Sequence, residues 1–454
     1  RIGATGSGGN ISVTAVGNIA LNSTGLGLGT SIRTTDGLTL QANAITQGPD
    51  TTIAAGSLTT STANGANLVG NNNVMSSFTA SNVTTGNITL NNPGNTGTLT
   101  LGTISQNAGN VTVQTAGGLV IGAGNTIGST TMTGDITLRA DAIDIASTAS
   151  LQTAAAGGTR NVYLLPNIPG TAASVGGSAG FDISQAEINT ISTNVNRVVI
   201  GEDAVGSMTA GAMTVGSASP INMGTRNLTI SADSVTVSGN PLTSSGDITL
   251  KSGAGLVTVD GTTVQAANVT LTGGGVNVAP SPAATASSLV LATGNISITS
   301  PGSAVIRGSN SVAGLFGRVS AGGSLNVNAA NVSLTGGSLL NTPAEMAGGP
   351  VNMTIGNELT LMGGSGKDAH ALLFSNADFN LTIGTALRLD AGTGLGAWAK
   401  VQTSSKIELF FPNLSSGGFF VNGVEGRIRQ GMTGFFIGSK PAKLGTTLIT
   451  DYGL

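Results

Sequence analysis

The chain has no cysteine. That excludes disulfides, thiolate metal sites and thiol redox chemistry, and leaves backbone pairing and core stacking to hold a large protein together. Charge is nearly as scarce: Asp, Glu, Lys and Arg make up 8% of the 454 residues, against roughly 25% in an average soluble protein. A net charge of −3 gives no electrostatic footprint for nucleic acid, and the longest basic cluster is Arg427 with Arg429. No run of 18 apolar residues occurs, so the positive mean hydropathy of +0.27 reflects aliphatics dispersed among polar neighbours and no membrane span is expected. The chain opens at Arg1 without a methionine, a basic n-region or an apolar h-region, and is read as a fragment or a processed product.

Histidine occurs once, at His370. Two-His metal sites are therefore excluded, and any Ser-His-Asp triad would have to be built on this one ring. Its neighbours Lys367 and Asp368 follow a Gly-Ser-Gly stretch, so a solvated turn is expected there. No cofactor is expected either. No Gly-rich stretch, such as Leu271 to Gly275, continues into Gly-Lys-Ser/Thr, and the Gly-Gly-x-Gly-x-Asp calcium nonapeptide has no tandem copy.

Glycine, by contrast, is abundant, at 71 residues. A disordered low-complexity chain would lack the short alternating runs of Ile, Val, Leu and Thr that recur here, so the glycines mark turns. The recurrent unit is Gly-(Asn/Asp)-aliphatic-(Ser/Thr)-aliphatic: Gly86 to Leu90, Gly109 to Val113, Gly134 to Leu138, Gly246 to Leu250 and Gly294 to Ile298. Ile88, Val111 and Ile136 stand 23 and 25 residues apart, and Ile248 and Val269 stand 21 apart. Alternation makes each unit a strand with its aliphatics on one face and Thr or Ser on the other. Gly tolerates positive φ and Asn or Asp can bond its own downstream backbone, so the pair before each strand reads as a turn. A second strand follows in places, at 141–145 and 234–237.

A strand this short cannot bury its own apolar face, and stacking successive coils solves that. The expected fold is all-β, a right-handed parallel β-helix whose core includes Ile88, Val111, Ile136, Ile248, Val269 and Ile296. At about 4.8 Å per coil, roughly 20 coils would make a rod on the order of 90–100 Å. The expected domains are a β-helix over 1–409 and a cap or assembly segment over 410–454. Irregular excursions are expected near 46–78 and 154–195, the second holding a short helix near 184–195. Its signals are the capping-box pattern Ser184 to Glu187, then Ile188, Ile191 and Val195. The C-terminal segment holds Phe410, Phe411, Phe419, Phe420, Phe435 and Phe436, expected to cover the open end of the core or mediate assembly.

Parallel β-helices also carry polysaccharide lyases and glycoside hydrolases, so paired carboxylates need checking. Asp135, Asp141 and Asp144, with Arg139 between them, are the best set, but Asp135 fills a turn position that Asn fills elsewhere. No catalytic residue is assigned. About twelve Asn-x-Ser/Thr triplets, among them Asn10, Asn87, Asn110, Asn268 and Asn295, arise automatically from turn Asn followed by strand Thr.

The stretch Phe181 to Ile191, followed by Val198 to Gly201 and Thr209 to Val215, resembles a segment of large filamentous-haemagglutinin-like exoproteins: a short acidic helix, an "IG" strand and an "AG" coil. Gly418 to Val424, Gly434 to Gly438 and Pro441 to Gly445 are similar to the C-terminal end of such proteins. The resemblance implies a secreted or surface-exposed β-helix exported through a partner pore, serving in adhesion, aggregation or biofilm. It implies partners among host or matrix glycans or proteins. End-to-end self-association follows separately, from the open ends of a β-helix.

Overall fold

The computed structural model describes residues 9–22, 31–154, 160–177, 180–403 and 405, with the backbone of short strands at Ile2–Gly3 and between 407 and 448. The fold is an all-β parallel β-helix: nearly every strand pairs in parallel with one from the next coil. The chain divides into two compact units, 1–212 with 225–232, and 213–224 with 233–454.

In the first unit the repeat strands stack in strict register. Ile19, Ile45, Ala66, Ile88, Val111, Ile136, Val162, Val198 and Leu228 follow one another coil by coil, all buried. The alternation read from sequence decides which face turns inward: Ile88 and Leu90 are fully buried while Thr89 between them is half-buried. A second sheet carries strands Thr52–Thr62, Val74–Asn82, Thr98–Gln106, Gly118–Ile121 and Ala142–Ile145.

The second unit has three sheets. One column runs Ile248, Val269, Ile296, Leu325, Val351, Phe379. Another runs Val257, Val276, Ala304, Val332, Leu359, Leu387. The third runs Leu242, Val264, Val290, Val319, Met346, Leu373. All of these side chains are buried.

The structure departs from the sequence reading in three places. Residues 46–78 form regular coils, with strands Ile45–Gln47, Thr52–Thr62, Ala66–Leu68 and Val74–Asn82. Their inward positions are filled by Ala55, Thr60, Thr62, Ala66 and Ala80 beside Leu58 and Phe78, so small and polar core residues hid the alternation. Two of these coils are closed by buried amides: Asn73 Oδ1 accepts the Ile53 N–H at 2.9 Å, and Asn82 Oδ1 accepts that of Gly65 at 2.9 Å.

Over 154–195 the main column continues through Asn161–Pro166, and the excursion proper is the pair Thr171–Val175 and Phe181–Ile183 with the helix Gln185–Thr190. The helix has the full capping box between Ser184 and Glu187, and it stops at Ile191, whose backbone is extended. Ile188, Ile191 and Val195 are all buried, though only the first lies within the helix. Arg226 holds the far end, donating to the Ile191 carbonyl at 2.6 Å.

The repeat turn also works differently from expectation. Asn87 Oδ1 accepts the N–H of Asn110, Asn110 that of Asp135, and Asp135 that of Asn161, at 2.9, 2.9 and 2.7 Å. Each side chain bonds the next coil, not its own downstream backbone. The glycine before it is required: Gly109 has φ +94°, and a Cβ there would stand 2.2 Å from the Gly86 carbonyl oxygen. In the second unit Asn268 and Asn295 accept in the same way from Asn295 and Ser324.

Phe411 lies outside the described residues. Phe410, Phe419, Phe420, Phe435 and Phe436 fall in the strands Ile407–Phe410, Gly418–Val421 and Phe435–Phe436, of which only the backbone is described.

Candidate functional site

Two groupings of chemistry-bearing side chains stand out from the repeats. The first lies on the third sheet of the second unit. Arg318 and Glu345 occupy facing positions on adjacent strands Gly317–Ala321 and Ala344–Gly348. Arg318 Nε donates to Glu345 Oε2 at 2.6 Å, and its guanidinium carbon sits 5.1 Å from the centre of the Phe316 ring. Glu345 Oε1 lies 2.9 Å from His370 Nε2, and the imidazole stacks on Trp398 with 4.2 Å between ring centres and 12° between planes. The hydrogen bond from His370, joined by the charge of Arg318, holds the Glu345 carboxyl below the usual carboxylate range against the opposing effect of burial.

His370 is therefore not the solvated turn residue expected from its neighbours. It sits immediately before strand Ala371–Ser375, half-buried, with both its ring face and one ring nitrogen in use. Sequence reasoning missed Arg318, Glu345 and Trp398 altogether. A signal existed: Phe316, Pro343, His370 and Trp398 each precede a strand of this sheet at spacings of 27, 27 and 28 residues, a longer coil than the 21–25 of the earlier repeats.

The second grouping is in the first unit, where a cleft of about 430 Å³ opens between strand Ala142–Ile145 and the helix. It is lined by Asp144, Asp182 and Glu187. Burial pushes the Glu187 carboxyl up, opposed by hydrogen bonds from Ser184 and Ile145, with Asp144 adding to the rise. A raised carboxyl near a second carboxylate is the arrangement a general acid needs. Yet both oxygens of Glu187 are engaged, Oε1 by the Ile145 N–H at 3.1 Å and Oε2 by the Ser184 N–H at 2.6 Å. Asp182 Oδ1 accepts from the Ser174 hydroxyl at 2.5 Å and from the Gly177 N–H at 3.0 Å.

The carboxylates singled out in the sequence do not form one set. Asp135 precedes strand Ile136–Ala140 in the turn ladder, whereas Asp144 lies on Ala142–Ile145 in the other sheet and lines the cleft. Asp141 stands in the turn between them, its backbone N–H donating to the Gly117 carbonyl. Arg139 pairs with Asp203 at 3.8 Å. Among the described residues no cluster of three His, Cys, Asp or Glu is arranged to hold a metal ion, and no helix is long and apolar enough to cross a membrane.

No family model matches the chain, and no curated protein or solved structure matches it.

Proposed function

We propose that this chain is a secreted, non-enzymatic structural or adhesive β-helix, part of a surface stalk or extracellular filament serving adhesion, aggregation or a biofilm matrix. The observation that carries the reading is where the polar side chains go. Asn87, Asn110, Asp135, Asn268 and Asn295 all bond the backbone of the adjoining coil. Asp135, Glu187 and Glu345, the carboxylates with displaced pKa values among the described residues, are all bonded within the fold. Side-chain chemistry is thus directed at continuing the stack and not at a substrate. The resemblance of residues 181–215 to exported exoproteins supports an extracellular location. The partners this reading implies are further copies of the chain joined end to end, and a glycan or protein of the host or matrix.

The competing reading is a carbohydrate-active β-helix, favoured by the cleft at Asp144, Asp182 and Glu187. Reducing-end and unsaturated-product assays over a panel of pectins, alginates and other acidic glycans, run beside negative-stain images of the same preparation, separate the two. Rods or filaments without product are expected. Turnover that Asp144→Ala or Glu187→Gln abolishes would make the protein a lyase or hydrolase.

A further inference from the structure

The outward side of a repeat strand in this chain ordinarily carries Thr, Ser or Asn, as Thr89, Ser297 and Asn326 do. The third sheet of the second unit breaks that rule. Its strands Ser288–Ala292, Gly317–Ala321, Ala344–Gly348 and Ala371–Ser375 put two rows of side chains outward. In coil order the first row is Leu289, Arg318, Glu345, Leu372 and the second is Leu291, Ser320, Ala347, Phe374. Among the described residues, the aromatic rings that are not buried belong to Phe316, His370, Phe374 and Trp398, all on this sheet or at its border.

Both rows are self-complementary when read backwards. A two-fold axis lying along the strand direction, midway between Arg318 and Glu345, reverses the coil order of a second copy laid face to face on the first. Arg318 then meets Glu345 of the second copy and Glu345 meets its Arg318, while Leu289 meets Leu372, Leu291 meets Phe374 and small Ser320 meets small Ala347. Such a closed pairing, in which residue i meets j and j meets i, is what an isologous interface requires. The alternative of two copies with the same coil order sets Arg318 against Arg318 and Glu345 against Glu345 when the axis runs along the first row, and sets them against Ser320 and Ala347 when it runs between the rows, so that it either apposes like charges or leaves both charges facing neutral groups.

We infer that this face is a self-recognition surface, on which a second copy of the chain packs side by side with its coils in the opposite order. The contact is lateral, and therefore distinct from association through the ends of the stack. It stands or falls independently of whether the protein is an adhesin.

The charge pair gives the test. In sedimentation experiments the full chain is expected to dimerise, R318E alone and E345R alone to be monomeric, and an equimolar mixture of these two variants to recover the dimer, because each then offers the other opposite charge at both positions. The absence of native cysteine allows an orientation test: a mixture of Leu289→Cys and Leu372→Cys should form an intermolecular disulfide under mild oxidation, far faster than either variant alone. Circular dichroism of each variant establishes that it is folded. A monomeric parent chain, a dimer indifferent to both charge reversals, or Leu289→Cys that cross-links best to itself would each overturn the inference.

Discussion

The side-chain carbonyl of Asn110 accepts the backbone N–H of Asp135 across 2.9 Å, joining one coil to the next at the point where the chain turns. Removing that acceptor while leaving the turn glycine in place should cost about 1 kcal/mol. Asn110→Ala is expected to lower the unfolding free energy measured by denaturant titration by that amount, and Asn110→Asp, which keeps the oxygen, to lower it less. Equal losses in the two would mean that the bond contributes nothing.

Ile88 and Thr89 are neighbours in sequence with opposite surroundings. Ile88→Asp would place an unpaired charge in the column between Ala66 and Val111, at a cost of several kcal/mol. Thr89→Lys should lie within about 0.5 kcal/mol of the parent. Thermal melts that fell equally would show that the faces are wrongly assigned.

Burial raises the Asp135 carboxyl, only partly offset by the hydrogen bond from Asn161. A raised carboxyl contributes its stability below the ordinary aspartate pKa and loses it as pH climbs through the higher folded value. Asp135→Asn keeps the acceptor oxygen and is the residue the repeat uses at Asn87 and Asn110. The variant is expected to be modestly more stable than the parent at neutral pH, with the gap closing below about pH 4. Unfolding curves at both pH values measure it, and a variant less stable at neutral pH would contradict the sign.

Glu345 should show the opposite dependence. The His370 hydrogen bond and Arg318 depress its pKa, so its contribution is present above the ordinary glutamate value and lost as pH falls through the folded one. Glu345→Gln is expected to cost about 1 kcal/mol at neutral pH, since Arg318 is partly exposed. The variant should also lack the part of the acid-induced loss that falls below about pH 4.

Trp398 is the single tryptophan of the chain, so its emission reports on one ring stacked on His370. His370→Ala removes the ring that covers one indole face, and the emission of Trp398 is expected to move to longer wavelength as water reaches that face. Identical emission spectra in parent and variant would show that the rings do not stack in solution.

The parallel β-helix was legible because Ile88, Val111 and Ile136 advertise both a period of two along the strand and a near-constant coil length. Residues 46–78 were illegible for the converse reason: Ala55, Thr60, Thr62 and Ala66 point inward without looking apolar. The turn asparagines were recognised as turns, but one sequence cannot distinguish a side chain that bonds its own backbone from one that reaches Asp135 in the next coil. His370 was misread because it follows Lys367, Asp368 and a Gly-Ser-Gly stretch in sequence, whereas its physical neighbours, Glu345 and Trp398, lie a whole coil away on either side.

The register of these columns has a consequence at the level of the gene. Ala66 pairs with Ile88, and Ile88 with Val111, at matching points of successive coils. Excising residues 88–110 would set Val111 directly on Ala66, with each aliphatic still inward and each Gly-Asn turn still over its predecessor. Losing a single residue would instead throw every following side chain of its strand to the wrong face. Recombination between repeats can therefore shorten or lengthen such a chain in whole coils at little cost to folding, while a loss of part of a coil would leave the remaining strands out of register with their neighbours.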